Sequence, residues 1–500
     1  MASDLPSKLE APEIFHDQAF IRGSWVESIS KGRFDVRDPG NGRCFATAVD
    51  CTEGDVDNAV QSAHDAFQLY RKTTPRQRAS LLLKWDRLIR QHKEDIALIL
   101  THESGKPLHE AKAELEYALG FTWWFAGEAE RVTGIVQTPS APNRRVLTIK
   151  QPIGVAVALV PWNYPVAMIL RKAGAALAAG CAMIVKPSPE TPFTALTLAY
   201  LAQQAGFPNG VFSVLPTSLA NTPALSEKLC RHPLVKKITF TGSTTVGKLV
   251  ARICSDTLKK VTLELGGNCP FLVFDDADLQ QAAQSLITLK WRHAGQACIT
   301  ANRIYIQAGI YKRFAEILVE ETQKLVVGHG TKEGTTIGPV TTERSLYKAK
   351  EHVDDAKRSG ATILTGGNIL YGTEGYDGYF FQPTVISNAT EDMMIGQEEQ
   401  FAPIMALFKF DTEEEAVQRA NATSLGLASY FFTKDVDRSW RLLENLEAGM
   451  ISINTGNASA AESPFGGIKE SGYGKESGKD VAIQEYLITK TGTLTLRGHY

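Results

Sequence analysis

Apolar positions recur at helical spacing from Glu53 to about Val132. Ala59, Val60, Ala63, Ala66 and Phe67 mark one stripe, and Leu81, Leu82, Trp85, Leu88 and Ile89 a second, with Pro75 opening that helix. Phe121, Trp123, Trp124 and Phe125 lie on a third predicted helix and read as core or pocket wall. Residues 1 to about 50 read as a tail followed by short strands that turn at Asn41-Gly42.

From Pro152 to Asp276 the pattern changes to regular alternation. Near-continuous apolar strands are predicted at Gly154 to Pro161, Ala182 to Val185, Gly210 to Leu215, Lys237 to Thr241 and Val261 to Leu265. Helices separate them, led by Pro165 to Ala179 and Pro192 to Ala205. Strands apolar on both faces and joined through helices predict a parallel sheet covered on both sides, with ligands outside the carboxyl ends of the strands. Residues 277 to about 460 mix helices and strands again and read as a second α/β domain, including a helix from about Asp278 to His293 and a strand from Asn302 to Gln307. Two β-rich stretches, Thr133 to Lys150 and the tail from Tyr486, belong to neither unit. They are expected to pair with each other or across a subunit boundary.

Length and charge narrow the function classes. A chain of 500 residues suggests about two to four domains. A formal charge of −2 provides no global field for nucleic acid or an anionic membrane. The seven cysteines, Cys44, Cys51, Cys181, Cys230, Cys254, Cys269 and Cys298, are scattered without CxxC or metal-ligand spacing, so reduced thiols and no metal are expected. The first fifteen residues carry Asp4, Glu10 and Glu13 rather than a leader pattern, and the longest apolar run, Ala173 to Val185, falls short of the about 20 residues of a membrane span. The expectation is a cytoplasmic protein whose sequons at Asn388, Asn421 and Asn457 are unused.

Candidate chemistry lies where the apolar strands stop. Trp162-Asn163-Tyr164-Pro165, Lys186-Pro187-Ser188, Thr241-Gly242-Ser243 and Glu264-Leu265-Gly266-Gly267-Asn268 end four strands of one sheet. Asn163 offers an uncharged oxyanion donor or is a turn asparagine. Glu264, among apolar neighbours, is a carboxyl of raised pKa suited to general-base work. Lys186 suits ribose or phosphate, or is a solvated strand end. Ser243 opens a helix suited to pyrophosphate, or is an ordinary N-cap. No GxGxxG is present, so a nucleotide would be held differently from the usual dinucleotide fingerprint. Cys298, in the loop Gly295-Gln296-Ala297-Cys298, is either the nucleophile of covalent catalysis or core filler. His293 reads as a helix-end residue.

Seven stretches together carry a resemblance: Pro-Trp-Asn-Tyr-Pro at 161 to 165, Lys-Pro-Ser at 186 to 188, Phe-Thr-Gly-Ser at 240 to 243, Glu-Leu-Gly-Gly-Asn at 264 to 268, Gly-Gln-Ala-Cys at 295 to 298, Glu-Gln-Phe-Ala-Pro at 399 to 403 and Pro-Phe-Gly-Gly-Ile-Lys at 464 to 469. In this order they resemble the aldehyde dehydrogenase superfamily over nearly the whole chain. The resemblance implies an α/β fold with a Rossmann-like NAD(P)-binding domain (1–132 and 151–264), a catalytic domain (265–460) and a β oligomerisation module (133–150 and 484–500) of a homodimer or homotetramer. It implies Cys298 as nucleophile, Asn163 with the Cys298 amide as oxyanion hole, and Glu264 as base. NADP or NAD would lie on Trp162, Lys186, Ser188, Gly242, Ser243, Glu399 and Phe401.

Arg171, Arg292 and Ser459 match residues of the succinate-semialdehyde dehydrogenase branch that hold a distal carboxylate, which implies succinate semialdehyde as substrate. Each arginine has an internal salt bridge as its alternative. Pro189, followed by Glu190, stands where many NAD-preferring relatives place a glutamate, so NADP is expected to be accepted at least as well as NAD. Thr300 replaces a second cysteine found in some relatives, which excludes that disulfide. The alternative functions are oxidation of another carboxylated or polar aldehyde, and a catalytically retired binding protein.

Overall fold

A computed structural model describes residues 5–497; residues 1–4 and 498–500 of the segments named above lie outside it. Four helices, Glu53–Tyr70, Pro75–Gln91, Lys93–Ser104 and Leu108–Ala129, occupy the first helical region. The apolar pattern did not separate Lys93–Ser104, so the aromatic cluster lies on the fourth helix rather than the third. Phe121 and Phe125 are buried there, whereas Trp123 is 64% exposed and belongs to neither core nor pocket.

An eight-stranded sheet runs in the order Ser24–Val26, Ala19–Ile21, Phe212–Val214, Ala182–Lys186, Val155–Leu159, Val235–Thr241, Lys260–Glu264, Gly472–Tyr473. The five strands predicted between 152 and 276 are its parallel centre, and their register pairs Leu159 with Lys186 and Thr241 with Glu264. Two of the polar strand ends are therefore level with their neighbours. All fifteen residues of helix Pro165–Ala179 are buried. Gly174 permits this, because a Cβ there would lie 2.8 Å from the ring of Phe125 on helix Leu108–Ala129.

A second, seven-stranded sheet contains Cys269–Val273, Ala301–Gln307, Thr362–Thr365, Thr384–Ser387, Ile404–Phe410, Ala428–Phe432 and Met450–Ile453. It is parallel apart from the Thr362–Thr365 edge. After residue 460 the chain returns to the first sheet, where Gly472–Tyr473 pairs antiparallel to Lys260–Glu264.

The two leftover β segments pair within the chain: Leu487–Thr495 lies antiparallel to Arg144–Pro152 along its whole length, and Val136–Gln137 adds a short third strand. Between the sheets, the Asp38 carboxylate accepts from His102 Nδ1 at 2.7 Å and His329 Nε2 at 3.0 Å, tying the N-terminal hairpin to a loop beyond the second sheet. No helix among the described residues is long and apolar enough to cross a membrane.

Candidate active site

Helix Leu279–Trp291, capped by Asp278 accepting from the Gln280 and Gln281 amides, ends at Arg292. The chain then makes a tight left-handed turn: His293, Ala294 and Gly295 have φ of +49°, +51° and +74°. A Cβ on Gly295 would lie 2.2 Å from the Ala402 carbonyl, so this position takes glycine on grounds of space as well as conformation. Left-handed non-glycine residues cost about 1 to 3 kcal/mol each, and this cost is met by surrounding structure. The His293 amide donates to the Glu110 carboxylate at 2.8 Å, and the Gln296 amide donates to the His293 carbonyl at 3.0 Å.

The turn delivers Cys298 to the strand ends. Its Sγ lies 3.9 Å from Glu264 Oε2, at the long end of a thiol hydrogen bond. Gly267 permits the approach, because a Cβ there would lie 2.4 Å from the Cys298 carbonyl. Asn163 joins them from beyond the end of strand Val155–Leu159, two strands away in the sheet: its Nδ2 donates to the Gln296 carbonyl at 3.0 Å. Cys298, Glu264 and Asn163 thus come together from three segments far apart in sequence.

Burial sets the resting protonation. Desolvation raises the Cys298 thiol well above its usual range, reinforced by the Glu264 and Glu399 carboxylates. Desolvation also pushes Glu264 up to about 7, against the pull of Arg171 and Lys172. The resting pair is a neutral thiol beside a carboxyl that titrates near neutrality, which is what thiol activation by a general base requires.

A cavity of about 510 Å³ opens beside Cys298, with Tyr117, Arg171, Arg292, Ser459 and Phe465 in its wall. Ser459 Oγ bonds the Tyr117 hydroxyl. The two arginines differ. Arg171 is wholly buried against the Phe465 ring at 4.0 Å and forms the internal ion pair raised as its alternative, with Glu476 at 2.9 Å, although its Nε and Nη1 have no partner among the described residues. Arg292 has neither a hydrogen bond nor an ion pair among the described residues; Tyr164 lies 5.7 Å below its guanidinium.

The expected cofactor residues line the same strand ends. Trp162 meets the Phe401 ring edge-on at 5.6 Å. Lys186 is buried with no hydrogen bond or ion pair to its ammonium among the described residues, and desolvation lowers its pKa to about 8. Ser188 bonds the Glu190 carboxylate, which turns that side chain back on its own loop. Ser243 caps helix Thr244–Ser255 through the Val246 amide at 3.4 Å, and the Gly242 amide donates to the Glu264 carbonyl at 3.2 Å. Glu399 accepts from the Gly267 amide at 3.1 Å, and burial pushes its pKa up to about 7.

Several site residues were not read from the sequence. His293 is more than a helix end: it lies in the cavity wall with both ring nitrogens unpartnered among the described residues, and desolvation keeps it neutral. Glu110 and Glu114 reach the site from helix Leu108–Ala129 and Lys106 from the link just before it, and Lys172 and Glu476 pair behind Glu264. Glu114 had a signal, since it falls on the same stripe as Ala111, Leu115 and Ala118, where a carboxylate needs a partner. Glu476 had none, because its partners Arg171 and Lys172 stand about three hundred residues away.

A thiol, a carboxyl and an amide donor meet at the carboxyl ends of a parallel sheet, an arrangement suited to covalent catalysis through cysteine. The chain belongs to the aldehyde dehydrogenase family, whose profile matches residues 25–492. It is 46% identical to a succinate-semialdehyde dehydrogenase [NADP(+)] of Schizosaccharomyces pombe over 97% of this chain and 96% of that one. It is 45% identical to a 3-sulfolactaldehyde dehydrogenase of Pseudomonas putida over 97% and 98% of the two chains. The crystal structure of a succinate-semialdehyde dehydrogenase from Burkholderia pseudomallei superposes with a TM-score of 0.94 at 42% identity, covering 98% of this chain and 100% of that one. The protein is accordingly an NAD(P)-dependent aldehyde dehydrogenase.

Proposed function

We propose that this enzyme oxidises a short aldehyde with a distal carboxylate, succinate semialdehyde first, to the corresponding diacid. The observation that carries this reading is Arg292, a guanidinium without an anionic partner among the described residues, in the wall of the cavity that holds Cys298. A planar fork of that kind takes a carboxylate in bidentate fashion, and Ser459 is placed to add a hydroxyl donor. Arg171 contributes positive charge from behind, tied to Glu476.

Cys298 Sγ attacks the aldehyde carbon, forming a C–S bond as the carbonyl electrons move to oxygen and the thiol proton passes to Glu264. Asn163 Nδ2 and the Cys298 amide donate to the resulting oxyanion. NAD(P)⁺, when bound, accepts the hydride that leaves the thiohemiacetal carbon. Glu264, once its first proton has passed to solvent, takes a proton from water, whose oxygen attacks the thioester; the C–S bond breaks to release the acid, and that proton returns to the Cys298 sulfur.

The residues fit the dinucleotide. Lys186 offers an unpaired ammonium, and helix Thr244–Ser255 points its N-terminus outward from a strand end. Gly266 leaves a gap in which a Cβ would meet Glu399 Oε2 at 2.9 Å. Pro189, three residues after Lys186, leaves no carboxylate at that position, and the Glu190 carboxylate is engaged by the Ser188 hydroxyl, which supports acceptance of NADP.

Initial-rate kinetics with NAD and NADP side by side test both points. NADP is expected to match or exceed NAD in kcat/KM; a preference for NAD above about a hundredfold, or about 2.7 kcal/mol, would overturn the cofactor reading. Arg292→Ala is expected to raise KM for succinate semialdehyde about 10- to 100-fold, the worth of a charged hydrogen bond, and to leave butyraldehyde turnover unchanged. Equal turnover of the two aldehydes by the unaltered enzyme would refute the substrate class.

The outer edge of Leu487–Thr495 has no strand partner among the described residues, and Ile488 and Leu494 are exposed on it. A long unpaired edge of this kind supports assembly through the β module into a homodimer or homotetramer. Sedimentation at micromolar concentration is expected to show an oligomer, and a monomer would count against it. Seven free cysteines fit a reducing compartment, and we place the protein in the cytoplasm.

A further inference from the structure

The first two turns of helix Leu108–Ala129 reach both halves of the site. Glu110 and Glu114 stand four residues apart and so share a face. Glu110 holds the left-handed turn that leads to Cys298, through the His293 amide. Glu114 Oε1 accepts from the Val166 amide at 2.9 Å and the Ala167 amide at 3.2 Å. These are orphan donors of helix Pro165–Ala179, whose N-cap residue, Tyr164, gives them no side-chain bond.

The other Glu114 oxygen pairs with the Lys106 ammonium in an ion pair that is 0% and 1% exposed. Lys106 Nζ also donates to the Asn163 carbonyl at 2.8 Å and lies 4.2 Å over the Tyr164 ring. Asn163 is therefore held by its backbone through Lys106 and by its side chain through the Gln296 carbonyl. Its amide nitrogen carries two hydrogens. The bond to Gln296 uses one and fixes the direction of the other.

We infer that Glu114 and Lys106 are positioning residues that hold Asn163 where its free N–H meets the oxyanion formed at Cys298. The inference rests on the reading of Asn163 as the oxyanion donor. A buried ion pair is weak evidence for stability, since apolar replacements of similar volume are often neutral, so its retention beside a catalytic turn points to geometry instead. Catalytic donors work within about 0.5 Å of their productive position, and a misplacement of about 1 Å costs about a hundredfold.

The test uses the full-length enzyme with succinate semialdehyde and NADP, reading the burst rate of reduced cofactor as well as kcat and KM. Glu114→Ala is expected to slow the burst about 10- to 100-fold, with both KM values within about twofold and with alkylation of Cys298 by iodoacetamide unchanged. Glu114→Gln, which keeps the acceptor for both amides and loses the charge facing Lys106, should fall between. Lys106→Met, apolar and of similar length, should show the same burst loss, and the pair replacement Lys106→Met/Glu114→Gln, which leaves no buried charge unpaired, keeps the question answerable if a single variant does not fold.

Asn163→Ala alone is expected to lose about 100- to 1000-fold. The double variant Glu114→Ala/Asn163→Ala should then be no slower than Asn163→Ala. Additive losses, or a Lys106→Met enzyme with a normal burst, overturn the positioning role and leave Asn163 as donor. An unimpaired Asn163→Ala overturns the donor reading itself.

Discussion

Cys298→Ala is expected to lower kcat by about 10⁴-fold or more, because loss of the nucleophile removes the covalent route and leaves only binding and oxyanion stabilisation. Rapid mixing with succinate semialdehyde and NADP should show no burst of reduced cofactor, and intact-mass measurement should find no acylated protein. A burst that survives the substitution would mean that the hydride leaves from a species not attached to this sulfur. The size of the effect follows from the surroundings. The thiol lies 3.9 Å from a carboxylate and is held well above its ordinary pKa by burial, so it is a poor spontaneous nucleophile that depends on its base. Thr300, two residues on, is fully buried and bonds the Leu289 carbonyl at 3.3 Å, so no neighbouring thiol at that position can substitute.

Glu264→Gln is expected to lower steady-state turnover about 10²- to 10⁴-fold, the usual worth of a general base. The burst and the later turnovers should both slow, since the amide can neither take the thiol proton nor deprotonate water. The sign of the pH dependence follows from the shift. Glu264 titrates near about 7 when folded, and it acts as a base only when ionised, so turnover of the unaltered enzyme should rise with pH through about 7. The variant should lack that limb.

Stability runs the other way. A carboxyl whose pKa is raised by folding costs stability progressively as pH rises from its unfolded value toward its folded one. Glu264→Gln should therefore leave the melting temperature at pH 8 unchanged or higher. A lower melting temperature together with normal turnover would make Glu264 a structural residue rather than a base.

How far each feature was legible depended on how local its cause was. The parallel centre of the first sheet was readable because its strands are largely apolar and two of its connecting helices begin with a proline, Pro165 and Pro192. The nucleophile loop was readable because Gly295 and Gly267 are needed for close backbone approach, and such glycines leave a trace in sequence. Helix Lys93–Ser104 was missed because His92 ends one helix and begins the next with no proline or glycine to mark the break. Trp123 was misread because a run of aromatics gives no phase, and rotation about the helix axis decided which rings face the core.

The sequence by itself supplied the candidates: a thiol after a glycine-led loop, and a carboxyl, an amide and a helix start where apolar strands stop. Only the tertiary structure decided how those groups are held and which charges remain free. Arg171 and Arg292 are alike as letters. One is tied to Glu476 and the other makes no ion pair among the described residues, because folding brought residue 476 against the first and left Glu110, turned to the His293 amide, beyond pairing distance of the second. Asn163 likewise reads as an oxyanion donor or a turn residue, and folding brings Lys106 onto its carbonyl and the Gln296 carbonyl onto its side-chain amide. Short-range spacing encodes backbone conformation, whereas charge pairing depends on distances between segments, and these exist only once the chain has packed.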